Sequence, residues 1–178
     1  MRFSKRICLY RVIRMAIFVT ILIVFIPILT GIVVGIPVST GFALIISTLA
    51  LQAAAAIIGL GLGLNPALIL LITTSIAAGC MYGIYEVCEL FALSSPRITR
   101  WLQKIEDKTK NVKYISQYGP IMLIPIIWIP GISLYGSPLV GWLFRWNRWS
   151  CILCMIIGWM IAIIVVMATS LGLFQLFF

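Results

Sequence analysis

The chain has no histidine, and only four of its 178 residues are acidic. Without histidine there is no imidazole to relay protons near neutral pH or to ligate a metal. Without an acid pair at cavity depth, or a nucleophile motif, the parts needed for hydrolysis or group transfer are missing too. No catalytic residue, metal or cofactor is therefore expected, and the chain is not read as an enzyme. Cysteine is also scarce, with five in all. Cys151 and Cys154 form a C-x-x-C, but inside an apolar segment, where small, soft packing residues are the simpler reading.

What is abundant is apolar surface. The chain is 63% hydrophobic with a mean hydropathy of +1.19, the composition of a polytopic membrane protein folded as one domain. The net charge of +9 does not indicate a nucleic-acid partner. All thirteen Lys and Arg fall in three blocks: before residue 15, between 97 and 113, and at 145 and 148. Each block borders an apolar segment, as topology signals do. The N-terminal segment is too long for a signal-peptide core and lacks a small-residue cleavage site, so it is expected to remain as a span.

Taken in order, residues 1–34 read as an N-terminal transmembrane helix, with Pro27 as a kink. A second uncharged segment runs from Phe42 to Leu64, with Gln52 its lone polar side chain in the small-residue run, and ends in Gly59-Leu-Gly61-Leu-Gly63. Asn65-Pro66 breaks it. A third runs from Ala67 to Leu90 and carries Glu86 and Glu89. Residues 94–116 then read as a cytoplasmic amphipathic helix, with Ile98, Trp101, Leu102 and Ile105 on one face among basic residues. The last span is 150–172.

Between them lies Tyr118–Trp142, uncharged, with four of the chain's eight prolines and four of its fourteen glycines. Prolines remove backbone donors, and irregular backbone survives in hydrocarbon only where protein or a water-filled cavity satisfies it. A re-entrant hairpin is expected, with its tip at Pro130-Gly131 and limbs of about ten residues, roughly 15 Å each as helix. If Phe42–Leu64 also re-enters, all three basic blocks lie on the cytoplasmic side, together with the N-terminus. The resulting expectation is an all-α, multi-pass cell-membrane protein built of two inverted repeats. Each repeat is a re-entrant helical hairpin followed by a transmembrane helix, over 35–90 and 117–172. Adding 82 to the first repeat aligns Gly59 with Gly141 and Asn65 with Asn147.

Gln117-Tyr118-Gly119-Pro120, Ile129-Pro130-Gly131, Gly136, Gly141-Trp142-Leu143, Arg148 and Gly158 resemble the second half of the small multidrug export protein family. That family is a distant relative of the DedA, or VTT-domain, membrane proteins. Gly59 to Gly63 and Asn65-Pro66 are similar more loosely, so the resemblance covers roughly residues 45 to 172. It implies paired re-entrant hairpins and, through the DedA-like proteins, a link to lipid or lipid-phosphate translocation. This sequence departs from the pattern where the family carries charge. Leu51-Gln52-Ala53-Ala54 stands where a Glu-Arg pair and a proline open the first hairpin. Ile127, Trp128 and Ser133 stand where arginines flank the second Pro-Gly.

The candidate substrate-binding groups are therefore Gln52, Pro130, Gly131, Ser133, Tyr135 and Ser137. Glu86 and Glu89 are candidates for coupling, or for structural ion pairs with the basic stretch that follows them. Arg145 and Arg148 are candidates for holding an anionic headgroup, or for fixing topology. The expected function is a small transporter or flippase for an amphiphilic or lipid-like substrate. The alternatives are a passive lipid scramblase and a membrane scaffold or assembly factor that moves nothing. Membrane lipids are the expected partners, with an amphiphilic small molecule as cargo, and a homo-oligomer is compatible with the sequence.

Overall fold

The computed structural model describes residues 2–94, 119–129 and 133–177, with side chains described for 10–92, 119–129 and 134–172. Among these residues every regular element is helical. The expected linker helix 94–116 and the expected tip Pro130-Gly131 lie outside the described residues, as does the side chain of Ser133.

The N-terminal span is α1 (Arg2–Thr20), a π turn (Ile21–Phe25) and α2 (Ile26–Val34). The break expected at Pro27 takes the form of this π turn immediately upstream. Proline has no N–H to donate and its ring crowds the preceding turn, and a widened turn accommodates both effects. The segment that follows is α3 (Val38–Leu51), a 3-10 turn (Gln52–Ala54) and α4 (Ala55–Gly61). It breaks at Gln52, whose backbone is forced to φ 57° and ψ −126°. Then comes the long α5 (Pro66–Ser94). The second broken segment is a 3-10 turn (Gly119–Met122), α6 (Leu123–Ile126) and, after a gap, α7 (Ser133–Leu143), which holds Pro138 within it. The chain closes with α8 (Arg148–Phe177).

Four stretches are long and apolar enough to cross a membrane: Tyr10–Val34, Val38–Gly61, Pro66–Ala92 and Arg148–Gly172. Several of their hydroxyls bond carbonyls of their own helices, which suits hydrocarbon. Thr48 donates to the Leu44 carbonyl at 2.6 Å and Thr73 to that of Ile69 at 2.7 Å.

The N-terminal span packs antiparallel to α5 along a stripe of small residues on α5. A Cβ on Gly79 would stand 2.7 Å from Ile23, and one on Gly83 would stand 3.2 Å from Val19. Ser75 donates to the Leu22 carbonyl, inside the π turn, at 2.8 Å. Farther along, Leu29 and Val33 line one small groove with Leu68 and Leu71. The end of α2 therefore lies beside the start of α5. The broken segment 38–61 joins those two points, so it leaves and returns at the same end of α5.

The second broken segment follows α8 inward. Leu123 lies 3.5 Å from where a Cβ on Gly141 would stand, and the backbone of Ile124 comes within 3.2 Å of where one on Gly158 would be. Leu123, Leu134, Met155, Trp159 and Ile163 are all buried in the shared core.

The two connections into the long helices are built alike, 82 residues apart. Leu62, Gly63 and Leu64 donate backbone bonds to Ile58, Leu60 and Gly59, and Phe144, Arg145 and Trp146 donate to Val140, Trp142 and Gly141. Gly63 (φ 73°) and Arg145 (φ 53°) both take the left-handed conformation that closes a helix. The Asn65 Oδ1 accepts from the Ala67 N–H at 2.9 Å and the Asn147 Oδ1 from the Trp149 N–H at 3.2 Å, each capping the helix that follows. Gly59 abuts Ile69, and Gly141 abuts Cys151. Of the Gly59–Gly63 alternation, Gly59 serves the expected close approach and Gly63 the turn, while Gly61 faces open space.

Candidate functional site

Three features converge on the middle and one end of α5. The first is a cluster of charges. Tyr82, Tyr85, Glu86 and Glu89 follow one another at helical spacing, which puts them on one face. Arg148, the first residue of α8, faces them from across the bundle. One of its Nη atoms donates to the Glu86 Oε1 at 2.6 Å, and the other stands 3.7 Å from the Glu89 Oε2. Tyr82 Oη donates to the same Glu86 oxygen at 3.1 Å, and the guanidinium lies 4.5 Å from the centre of the Tyr82 ring. Tyr85 Oη donates to the Trp146 carbonyl at 3.2 Å and ties α5 to the connection that presents Arg148. The pair is mostly shielded, with side-chain exposures of 23% for Arg148 and 14% for Glu86. Shielding strengthens the attraction and also makes either charge costly once its partner is removed.

The cluster forms one wall of a cleft of about 350 Å³, whose other wall is Tyr10, Arg11, Arg14 and Met15 of α1. Arg11 and Arg14 of the first basic block and Arg148 of the third thus line one cleft. Among the described residues neither Arg11 nor Arg14 has an ion-pair partner.

The second feature is an apolar groove of about 650 Å³ between α1, α5 and α7. It begins at Met15, which it shares with the cleft, and passes Val19 and Gly83 to Tyr135 and Leu139.

The third is a crossing of the two broken segments. Tyr135 Oη, at the start of α7, donates to the Leu49 carbonyl at 2.5 Å. Leu49 sits three residues before the break at Gln52. Tyr135 lines the groove together with Cys80, midway along α5.

The residues expected to form the site are distributed as follows. Glu86, Glu89 and Arg148 come together, and Tyr135 faces the groove. Gln52 and Ser137 are buried, at 8% and 0% exposure, so neither presents its side chain to an open surface. Arg145 is exposed at the turn and does not line the cleft. The basic stretch expected to pair with the two acids lies outside the described residues. Tyr82, Tyr85, Arg11 and Arg14 were not among the expected site residues. The spacing of Tyr82, Tyr85, Glu86 and Glu89 already puts a polar face on α5. Nothing local in the sequence pairs that face with residues 62 and more positions away.

The chain has no match among protein-family models, curated proteins or solved structures.

Proposed function

We propose that this protein is a small multi-pass membrane transporter or flippase, of the small multidrug export and DedA-like kind, that moves an amphiphilic or lipid-like substrate across the bilayer. The observation that carries the reading is the meeting of two interrupted segments at mid-bundle, where Tyr135 bonds Leu49 beside the break at Gln52. Interrupted helices free backbone donors and acceptors at a depth where hydrocarbon offers none, and transporters build binding sites from such breaks. In this reading the two segments are re-entrant hairpins of an inverted repeat. Its support is that residues 38–61 return to the end of α5 from which they left, and that the two connections match bond for bond. The apolar groove running to the crossing suits a lipid-like cargo better than an ion.

Passive scrambling is the second reading, and the pairing of Glu86 with Arg148 favours it. An acid held by a neighbouring arginine at one end of the bundle is poorly placed to carry protons through its middle. Both readings are tested by reconstituting the protein in liposomes containing a fluorescent phospholipid and adding a membrane-impermeant quencher. Quenching beyond the half reached in empty liposomes, without a gradient, indicates scrambling, and quenching that requires a proton gradient indicates coupled transport. Half-quenching under both conditions contradicts both readings and leaves the scaffold.

A further inference from the structure

We infer that the charged cleft and the apolar groove are two parts of one binding site for an anionic phospholipid of the surrounding bilayer. Its phosphate is held between Arg11 and Arg14, and one acyl chain lies along the groove between α1, α5 and α7. The inference rests on the reading of the chain as a membrane protein with a lipid-like ligand, but it concerns binding and requires no transport.

The cleft holds three arginines and two glutamates. Arg148 is engaged by both acids, directly by Glu86 and more loosely by Glu89. That leaves Arg11 and Arg14, one turn apart on the opposite wall, with no acidic partner among the described residues. Two guanidinium groups spaced by three residues on a helix face present donors suited to a phosphate's oxygens. Tyr10 adds a hydroxyl at the same rim.

Continuity then selects the ligand. The cleft and the groove share Met15, so a molecule filling both must be charged at one end and apolar over the remainder. Both volumes fall within the roughly 300–1,000 Å³ of small-molecule sites. Leu139 and Phe91 line the groove and are 47% and 62% exposed, so it is open along its side. In a spanning bundle that opening faces hydrocarbon, which supplies chains directly. A soluble anion would use the cleft and leave the groove without an occupant. The cleft holds one more arginine than glutamate, so an anionic lipid balances its charge and a zwitterionic one leaves it positive.

The test uses the full chain purified in mild detergent, with lipid binding read by native mass spectrometry. Phosphatidylglycerol, phosphatidylcholine and water-soluble glycerol phosphate are supplied as separate probes. The expected result is at least tenfold greater occupancy by phosphatidylglycerol than by phosphatidylcholine, and no retention of glycerol phosphate. R11Q/R14Q abolishes the preference and R11K/R14K restores most of it. L139W, which fills the groove, weakens both lipids. K5Q/R6Q removes the same charge elsewhere on the chain and retains the preference. Equal binding of the two lipids overturns the inference. So does a preference that survives R11Q/R14Q, or one that K5Q/R6Q abolishes as completely, or retention of glycerol phosphate as strong as that of the lipid. Thermal melts of each variant separate loss of binding from loss of fold. Because the readout is binding, it can fail while the liposome assay shows lipid movement, and the converse also holds.

Discussion

Glu86 receives two hydrogen bonds on one oxygen, from Arg148 and from Tyr82, in a part of α5 that is mostly shielded. Replacing it with glutamine keeps the shape and removes the charge, leaving Arg148 over the Tyr82 ring with only the distant Glu89 to balance it. Hydrogen bonds to charged groups contribute about 1.5–3 kcal/mol, so Glu86→Gln and Arg148→Gln are each expected to destabilise the fold by that order. The two changes act on one interaction, and the double variant should lose little more than either single one. Thermal unfolding of the four proteins in detergent checks this, and additive losses would show that the residues are not coupled. The same Glu86→Gln protein decides the role of the acid. If Glu86 is a structural partner, lipid movement continues in the folded variant, whereas a folded variant that has lost gradient-driven movement identifies a coupling acid.

Between elements, contact depends on a few positions where a side chain has no room. At Gly158 an added Cβ would stand 3.1 Å from the Ile127 Cδ1 and 3.2 Å from both the Cα and the O of Ile124, and backbone cannot swing away as a flexible side chain can. Gly158→Ala is expected to push α6 off α8 and cost about 1–3 kcal/mol, the usual penalty of overpacking. Gly61→Ala has nothing within 4 Å of the added carbon and should leave the melting temperature unchanged or slightly raised. Equal effects at the two sites would contradict the close approach of α6 to α8. Elements of this kind were partly legible in the sequence. Long apolar runs and the Gly59/Gly141 and Asn65/Asn147 matches located the spans and their connections, because hydropathy, caps and turn residues act locally. The π form of the break at Pro27 and the position of the break at Gln52 were not legible. Gln52 is a non-glycine residue at positive φ, and a preference of that kind is imposed by packing rather than carried by the residue. The partner of Glu86 was hidden for the same reason, since an ion pair across 62 residues exists only once the bundle has formed.

At the scale of the molecule, where each end of each broken segment emerges decides the topology. The N-terminal span runs antiparallel to α5, so segment 38–61 begins and ends together, at the opposite end from the cleft where Arg11, Arg14 and Arg148 meet. In the proposed topology, which follows the positive-inside preference, the cleft is cytoplasmic and both ends of 38–61 are outside. The proposed hairpins, inverted repeat and cargo path all depend on that arrangement. Single cysteines at Ser39, Leu62 and Trp149, in a background without the five native ones, test it directly with an impermeant thiol reagent on intact cells and on inverted vesicles. All three positions are exposed. Ser39→Cys and Leu62→Cys are expected to label from the outside and Trp149→Cys only from the inside. Labelling of Ser39→Cys and Leu62→Cys from opposite faces would mean that segment 38–61 spans the bilayer, and would contradict the account.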